Sequence, residues 1–449
     1  MSSPEQAADS TAVNERSITR NESMAMLGAS VLSAASAFIS TVVARRFIPA
    51  DDVTEFMVFW SLLFGVYGVI GGIASEATRA VGAAFLNRHG REDAGSVKAV
   101  SPRGARPAVV ALAIGAVVAV LIVGTTPLWS DKFLSSHTGL AVIAVAVATV
   151  LYSVQVAMSG AASGMHKWYL VATINGGEAT WRFIAVVIVG LIAGSLWGVE
   201  AAVASPALLW VILVLCSPHA REAFVARGDV PAKQLTINTL IAMGSAAASA
   251  ALTTGFPLMM KATEHVEKGT HPEMVLGALI FAISITRSPI MIPLQAFQGV
   301  AISLFLKQSH RPVAAMAKPV GALLGVGLLG GVAAYLLGPW LFILITGPRP
   351  EEVAAYTEAS QGWVLGLLTF ASAVMALLVL SGTAVLAMNL HKTYILGWIV
   401  AAVVSLMLVL LPLPLIPRAI ISLFVGPLLG FATHMAGLVL DAKKRGISK

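Results

Sequence analysis

Twelve runs of apolar residues, each long enough to cross a bilayer as a helix, limit this chain more than any other feature. They fall near residues 24–43, 56–78, 107–128, 139–164, 168–193, 196–216, 236–260, 274–297, 318–346, 360–386, 393–411 and 418–440. At about 20 residues per crossing they consume most of the 449 residues and leave only short loops. Only 11% of the residues are charged, against about 25% in a soluble domain, which excludes a soluble enzyme. The expected fold is an all-α polytopic membrane protein.

The first run ends in Arg45-Arg46 rather than at a small-residue cleavage site, so it reads as a retained helix. Lysine and arginine placement then sets the topology, because cytoplasmic loops keep positive charge. With the N-terminus inside, twenty of the 29 basic residues lie in inner segments and seven in outer ones; Arg182 and Arg287 lie within spans. Both termini are therefore expected in the cytoplasm. The net charge of +7 follows from this loop asymmetry, and its scatter argues against nucleic acid as a partner.

A faint repeat divides the chain. Met26-Leu27-Gly28-Ala29-Ser30 and Ala242-Met243-Gly244-Ser245-Ala246 each lead into a run of small residues, as in transporters built from two halves. The reading is a disordered cytoplasmic tail (1–22), an N-terminal six-helix bundle (23–216), a cytoplasmic linker (217–235), a C-terminal six-helix bundle (236–440) and a basic cytoplasmic tail (441–449).

Charge inside the hydrocarbon region costs at least a few kcal/mol, so each retained charge calls for a partner or a cavity. Arg287 lies about thirteen residues into the eighth span, beside Pro289 and Pro293. The two prolines strip helical partners from the carbonyls of Ile285 and Pro289. A fixed guanidinium there suits a phosphate or another acidic headgroup, with a packing ion pair as the plain alternative. Glu178 and Arg182 stand four apart on one helical face with Asn175, either as a structural pair or as a coupling device in which the arginine alternates between glutamate and substrate. Glu76 and Arg79 read as a salt bridge or snorkelling pair near the inner end of span two, with gating as the functional alternative. Arg45 and Arg46, followed by Asp51, Asp52 and Glu55, read as a solvated cluster that a departing phosphate would meet. His434 lies deep in span twelve, where it either titrates or finds a hydrogen-bond partner.

Other chemistry is thin. The single cysteine, Cys216, excludes an internal disulfide. No phosphate-binding glycine loop or HExxH occurs, so neither ATP hydrolysis nor a cofactor is expected. The histidines and glutamates of loop 264–271 match no zinc spacing, and no metal is expected.

The stretch Val42-Val43-Ala44-Arg45-Arg46-Phe47-Ile48-Pro49-Ala50-Asp51-Asp52, running through Phe59-Trp60-Ser61-Leu62-Leu63 to Glu76-Ala77-Thr78-Arg79, resembles the opening of the polysaccharide and lipid-linked oligosaccharide exporters. These belong to the multidrug/oligosaccharidyl-lipid/polysaccharide (MOP) exporter superfamily. The resemblance implies two six-helix bundles around a central cavity lined by spans one, two, seven and eight. It implies a flippase, not an enzyme, of the bacterial cytoplasmic (inner) membrane that moves a polyprenyl-phosphate-linked sugar outward by alternating access. Arg287, Arg182, Arg46 and Arg45 would hold substrate. Glu178, Glu76, Arg79, His434, Pro289 and Pro293 would couple or gate. The implied partners are the lipid-linked sugar, membrane lipids, H+ or Na+, and envelope glycosyltransferases. The alternatives are an ion-coupled multidrug or metabolite exporter and a polytopic glycosyltransferase using Asp51-Asp52. A major facilitator protein is disfavoured, because Arg88-His89-Gly90-Arg91 follows Asn87 where that signature needs aspartate.

Overall fold

The structure is a computed structural model that describes residues 20–92, 104–134, 138–263, 272–307, 311–388 and 390–445. The tail expected at 1–22 lies almost wholly outside these residues, as do loop 264–271, the 93–103 part of the loop after span two, and the last four residues. Among the described residues the secondary structure is helical, and twelve helical segments are long and apolar enough to cross a membrane.

The first half comprises α1 (Arg20–Phe47), span two as α2 (Val53–Ile70) and α3 (Gly72–Glu92), α4 (Pro107–Phe133), α5 (Thr138–Gly164) and α6 (Trp168–Ile192). Span six follows as α7 (Leu196–Ala204) and α8 (Leu209–Cys216), joined by a 3-10 turn at Ser205–Leu208 that opens on Pro206. A short helix, α9 (Pro218–Val225), leads to the second half: α10 (Ala232–Thr253), α11 (Phe256–Ala262), α12 (Pro272–Lys307), α13 (Pro312–Thr346), α14 (Val353–Ala359), α15 (Gly362–Ala387), α16 (His391–Val409) and α17 (Leu415–Lys444). Proline at the first helical position starts α4, α9, α12 and α13, where its missing N–H costs nothing. Gly347, at φ 52°, closes α13 in the left-handed conformation that glycine adopts without strain. Span two runs to Phe85, beyond the end at 78 expected from sequence, because Ala80, Val81 and Ala84 are buried against neighbouring helices rather than meeting the interface.

Packing repeats with a period of six spans. Span one packs on span five as seven packs on eleven; two on four as eight on ten; three on four as nine on ten. Each half is thus built around one central span, α5 or α15. The halves meet where span one packs on span eight and span two on span seven. At the end away from the termini, one hydrophobic cluster includes both halves, with Phe56, Val199 and Phe281, Tyr356, Leu415. At the terminal end the clusters are separate, Val81, Met158 and Leu170 in one half and Phe305, Leu380 and Leu438 in the other. The halves are therefore joined at the far end and, apart from the contact of α10 with span two, part towards the termini.

Candidate functional site

A cavity of about 290 Å³ lies where the two halves meet. Its walls come from α1 (Ala37, Thr41), α2 (Met57, Trp60), the α10–α11 junction (Thr253, Pro257) and α12 (Ser284, Arg287, Ser288). Arg287 is the charged residue in this lining. Its Nη1 donates to the carbonyls of Thr253 at 2.7 Å and Leu252 at 3.4 Å. Those carbonyls belong to the last turn of α10, whose unpaired acceptors and negative dipole end favour a cation. The Nε of Arg287 has no partner. One side of the guanidinium thus ties α12 to α10 across the cavity rim, while the Nε–H remains an unmet donor. Pro289 and Pro293 both lie inside α12, which continues through them. Pro289 lines a second, apolar cleft of about 300 Å³ between α12, α13 and α15, on the other side of the helix from the arginine.

The second charged centre lies within the first half. Arg182 Nη2 pairs with Glu178, which also accepts from Gln155 Nε2 at 3.0 Å. The Arg182 guanidinium stands 4.7 Å from the Phe64 ring centre. A ladder of rings runs along span two, Trp60 to Phe64 at 4.5 Å and Phe64 to Tyr67 at 5.6 Å, and ends on Tyr152, stacked on Tyr67 at 3.6 Å. Trp60 lines the cavity and Phe64 touches Arg182, so one helix connects the two centres. Arg182 itself does not line the cavity with Arg287.

At the terminal end, Arg79 holds Glu76 through two bonds of 2.8 and 2.6 Å and Asp229 through two of 3.1 and 3.2 Å. Asn238 of α10 donates to the same Glu76 at 3.0 Å. The pair is thus the local salt bridge that the sequence offered as one reading, but Glu76 is buried rather than at the interface; it accepts from both span two and span seven, while Arg79 reaches the linker. Nearby, outside the spans, Lys167 pairs with Glu222, and this bond holds the Glu222 carboxyl below the ordinary carboxylate range.

Arg45 corrects a second expectation. Rather than standing in a solvated cluster, it is buried and bound to Glu352, Tyr356 and the Thr346 carbonyl of the other half. Burial pushes the Tyr356 hydroxyl above its ordinary value, with the neighbouring Arg45 opposing. Arg46 is exposed. His434 is wholly buried, its Nδ1 2.9 Å from Ser381 Oγ and its Nε2 3.1 Å from the Tyr394 carbonyl, with its ring parallel to Tyr394. Arg418, at the first position of the twelfth apolar run, lies inside α17, buried and without a hydrogen-bond partner for its guanidinium. Glu200 escaped the sequence reading. It is 1% exposed in α7 and neither carboxylate oxygen has a partner. A lone acid in the apolar run 196–216 was the signal that could have flagged it.

No family model matches the sequence. Among solved structures, the chain superposes on a MOP superfamily transporter from Pyrococcus furiosus with a TM-score of 0.67 at 10% identity, covering 94% of this chain and 96% of that one. That protein is described as having a binding pocket of reversed polarity that suggests a different function. Inward-facing and outward-facing structures of multidrug resistance MATE transporters of the same superfamily match with TM-scores of 0.68 and 0.62, at 10% and 11% identity. They cover 94% and 95% of this chain and 98% and 95% of theirs. The fold is therefore the MATE-like transporter fold. In sequence, the uncharacterized protein Rv1510 of Mycobacterium tuberculosis is 33% identical over 423 residues, which is 93% of this chain and 91% of the relative. Rv3630 of the same organism is 30% identical over 425 residues, 93% and 92% of the two chains. The chain belongs to the same family as Rv1510 and Rv3630.

Proposed function

We propose that this protein is an alternating-access transporter whose central cavity binds the acidic group of its substrate through Arg287. One observation carries the reading: a guanidinium with an unmet Nε–H on the wall of a cavity at the junction of the two halves. A cationic wall selects an anion, because burying an unpaired charge of the same sign there costs several kcal/mol. Within that class we propose a lipid carrying a phosphate, such as a polyprenyl-phosphate-linked sugar moved between leaflets of a bacterial cytoplasmic membrane. A cavity of about 290 Å³ accommodates a headgroup, not a chain of many isoprene units, so the tail stays in the bilayer. Glu178 with Arg182 is the proposed coupling pair, and Glu76 with Arg79 the proposed inner gate. Arg45 is not retained as a substrate ligand, since its guanidinium nitrogens are already bonded.

The second reading is an exporter of soluble drugs or metabolites, favoured by the multidrug transporters that share the fold. Purification in nanodiscs followed by mass spectrometry of bound lipid separates the two. The proposal expects a phospho- or pyrophospho-linked glycolipid at near-unit occupancy, lost in Arg287→Gln. A bound soluble organic cation, or no difference between the two proteins, overturns it.

A further inference from the structure

The end of the molecule away from the termini is closed by a polar knot that neither half makes alone. Arg45, in the last turn of α1, donates from Nε to Tyr356 Oη at 2.8 Å, from Nη2 to Glu352 Oε2 at 2.6 Å, and from Nη1 to the Thr346 carbonyl. Its guanidinium stands 4.3 Å from the ring centre of Tyr356 and 5.9 Å from that of Phe281. Glu352 Oε2 also accepts from the Arg349 backbone N–H at 2.8 Å, and the Arg349 side chain returns to the carbonyl of Ile48, just past α1. Arg45, Glu352 and Tyr356 are each no more than 3% exposed.

Three features make this arrangement a switch rather than an ordinary surface pair. It is composite: Arg45 and Ile48 come from the first half, and Thr346, Arg349, Glu352 and Tyr356 from the second. It is also all-or-none, because a buried guanidinium stripped of one partner becomes an uncompensated charge in a low dielectric, so intermediate separations are disfavoured. Finally, it stands over the cavity. Thr41, one helical turn below Arg45 on α1, lines the cavity, and so do Ile280 and Ile283, which flank Phe281 on α12. Gly347 in its left-handed conformation ends α13 at Thr346, leaving that carbonyl unpaired within its own helix and free to receive Arg45.

We propose that Arg45, Glu352 and Tyr356 form a latch that seals the cavity at the end away from the termini, and that its rupture is the step that opens the cavity there. The latch rests on the alternating-access reading above. Once broken, it releases Arg45 and Glu352 to water together, which removes the cost of a lone buried charge and makes the open state accessible.

The test uses the full chain with Cys216→Ser, reconstituted in nanodiscs and spin-labelled at Pro49→Cys and Glu351→Cys, two exposed positions on either side of the latch. Pulsed dipolar spectroscopy then reads their separation without any substrate. The parent is expected to show one short distance. Glu352→Gln is expected to add a longer population, with the closed-to-open ratio falling between about a hundredfold and several thousandfold, the range that corresponds to removing one partner of a buried pair. The milder variant Tyr356→Phe removes one acceptor from the buried guanidinium and keeps the ion pair, so it keeps the result readable if Glu352→Gln prevents folding, and it should also populate the longer distance, to a smaller extent. An unchanged single distance in both variants overturns the latch. Because no ligand enters the measurement, a wrong assignment of Arg287 leaves this result intact, and failure of the latch leaves the Arg287 lipid measurement intact.

Discussion

Substituting Gly72 by alanine tests the seam between span two and span seven. A Cβ built at Gly72 would lie 2.5 Å from the Met243 nitrogen and 2.6 Å from the Ala242 carbonyl carbon and the Met243 Cα. All three are backbone atoms of α10, so no side chain can swing aside. Carbon contacts are comfortable at about 3.5–4.0 Å, and the helices must therefore separate by about 1 Å along a seam that also holds Glu76 to Asn238. Overpacking of this kind costs about 1–3 kcal/mol. Gly28 and Gly244 provide controls, since a Cβ at either meets nothing within 4 Å. Alanine there should be neutral or should stabilise the helix by up to about 1 kcal/mol. Thermal unfolding in one detergent, followed by tryptophan fluorescence, compares the three variants. Gly72→Ala is expected to melt several degrees below the parent while the controls melt at or above it. Equal melting temperatures for all three would show that spans two and seven do not pack backbone to backbone, and the assignment of this pair as a seam between the halves would fail.

Glu76→Gln removes the carboxylate that receives Arg79 twice and Asn238 once, and should lower stability by about 1–3 kcal/mol; a melting temperature equal to that of the parent contradicts the proposed gate at the terminal end. Glu200→Leu should do the opposite and hold or raise the melting temperature, since it deletes two buried oxygens without partners. A loss as large as that of Glu76→Gln would mean that Glu200 has a partner not present in this conformation. The Glu222 carboxyl is held below its ordinary value by Lys167, so its contribution is present above the unfolded value, about 4.3, and is lost as the pH falls through the lower folded value. The melting difference between the parent and Glu222→Gln, small for so exposed a pair, should therefore be constant around neutral pH and close as the solution turns acid. A difference that is absent at neutral pH and appears only in acid refutes the pairing.

Class and span number were legible because lipid forces every backbone group into a helix, so apolar runs map directly onto crossings. The position of Arg287 was legible for a related reason. A guanidinium too deep to reach the interface has to face a partner or a cavity, and this one does both. The partners of Arg45 were not legible. Glu352 and Tyr356 lie more than 300 residues away in sequence, in a loop whose composition suits solvent, and only the return of α14 against α1 brings them together. The salt bridge of Glu76 with Arg79 was legible from its spacing, but the burial of Glu76 was not, because its span continues past the point where polarity rises and Asn238 of the other half covers the carboxylate. Arg418 and Glu200 show the remaining blind spot. Each lies near the start of an apolar run, where a side chain can emerge or turn inward, and sequence period alone does not distinguish the two.

Quantitative mass spectrometry of lipid retained by purified protein, compared between the parent, Arg287→Lys and Arg287→Gln, tests the central claim most directly. The account predicts a phosphate-bearing lipid bound to the parent, reduced in the lysine variant, which keeps the charge but loses the planar fork, and absent from the glutamine variant. Equal retention by all three proteins, or a bound ligand without an acidic group, would contradict it.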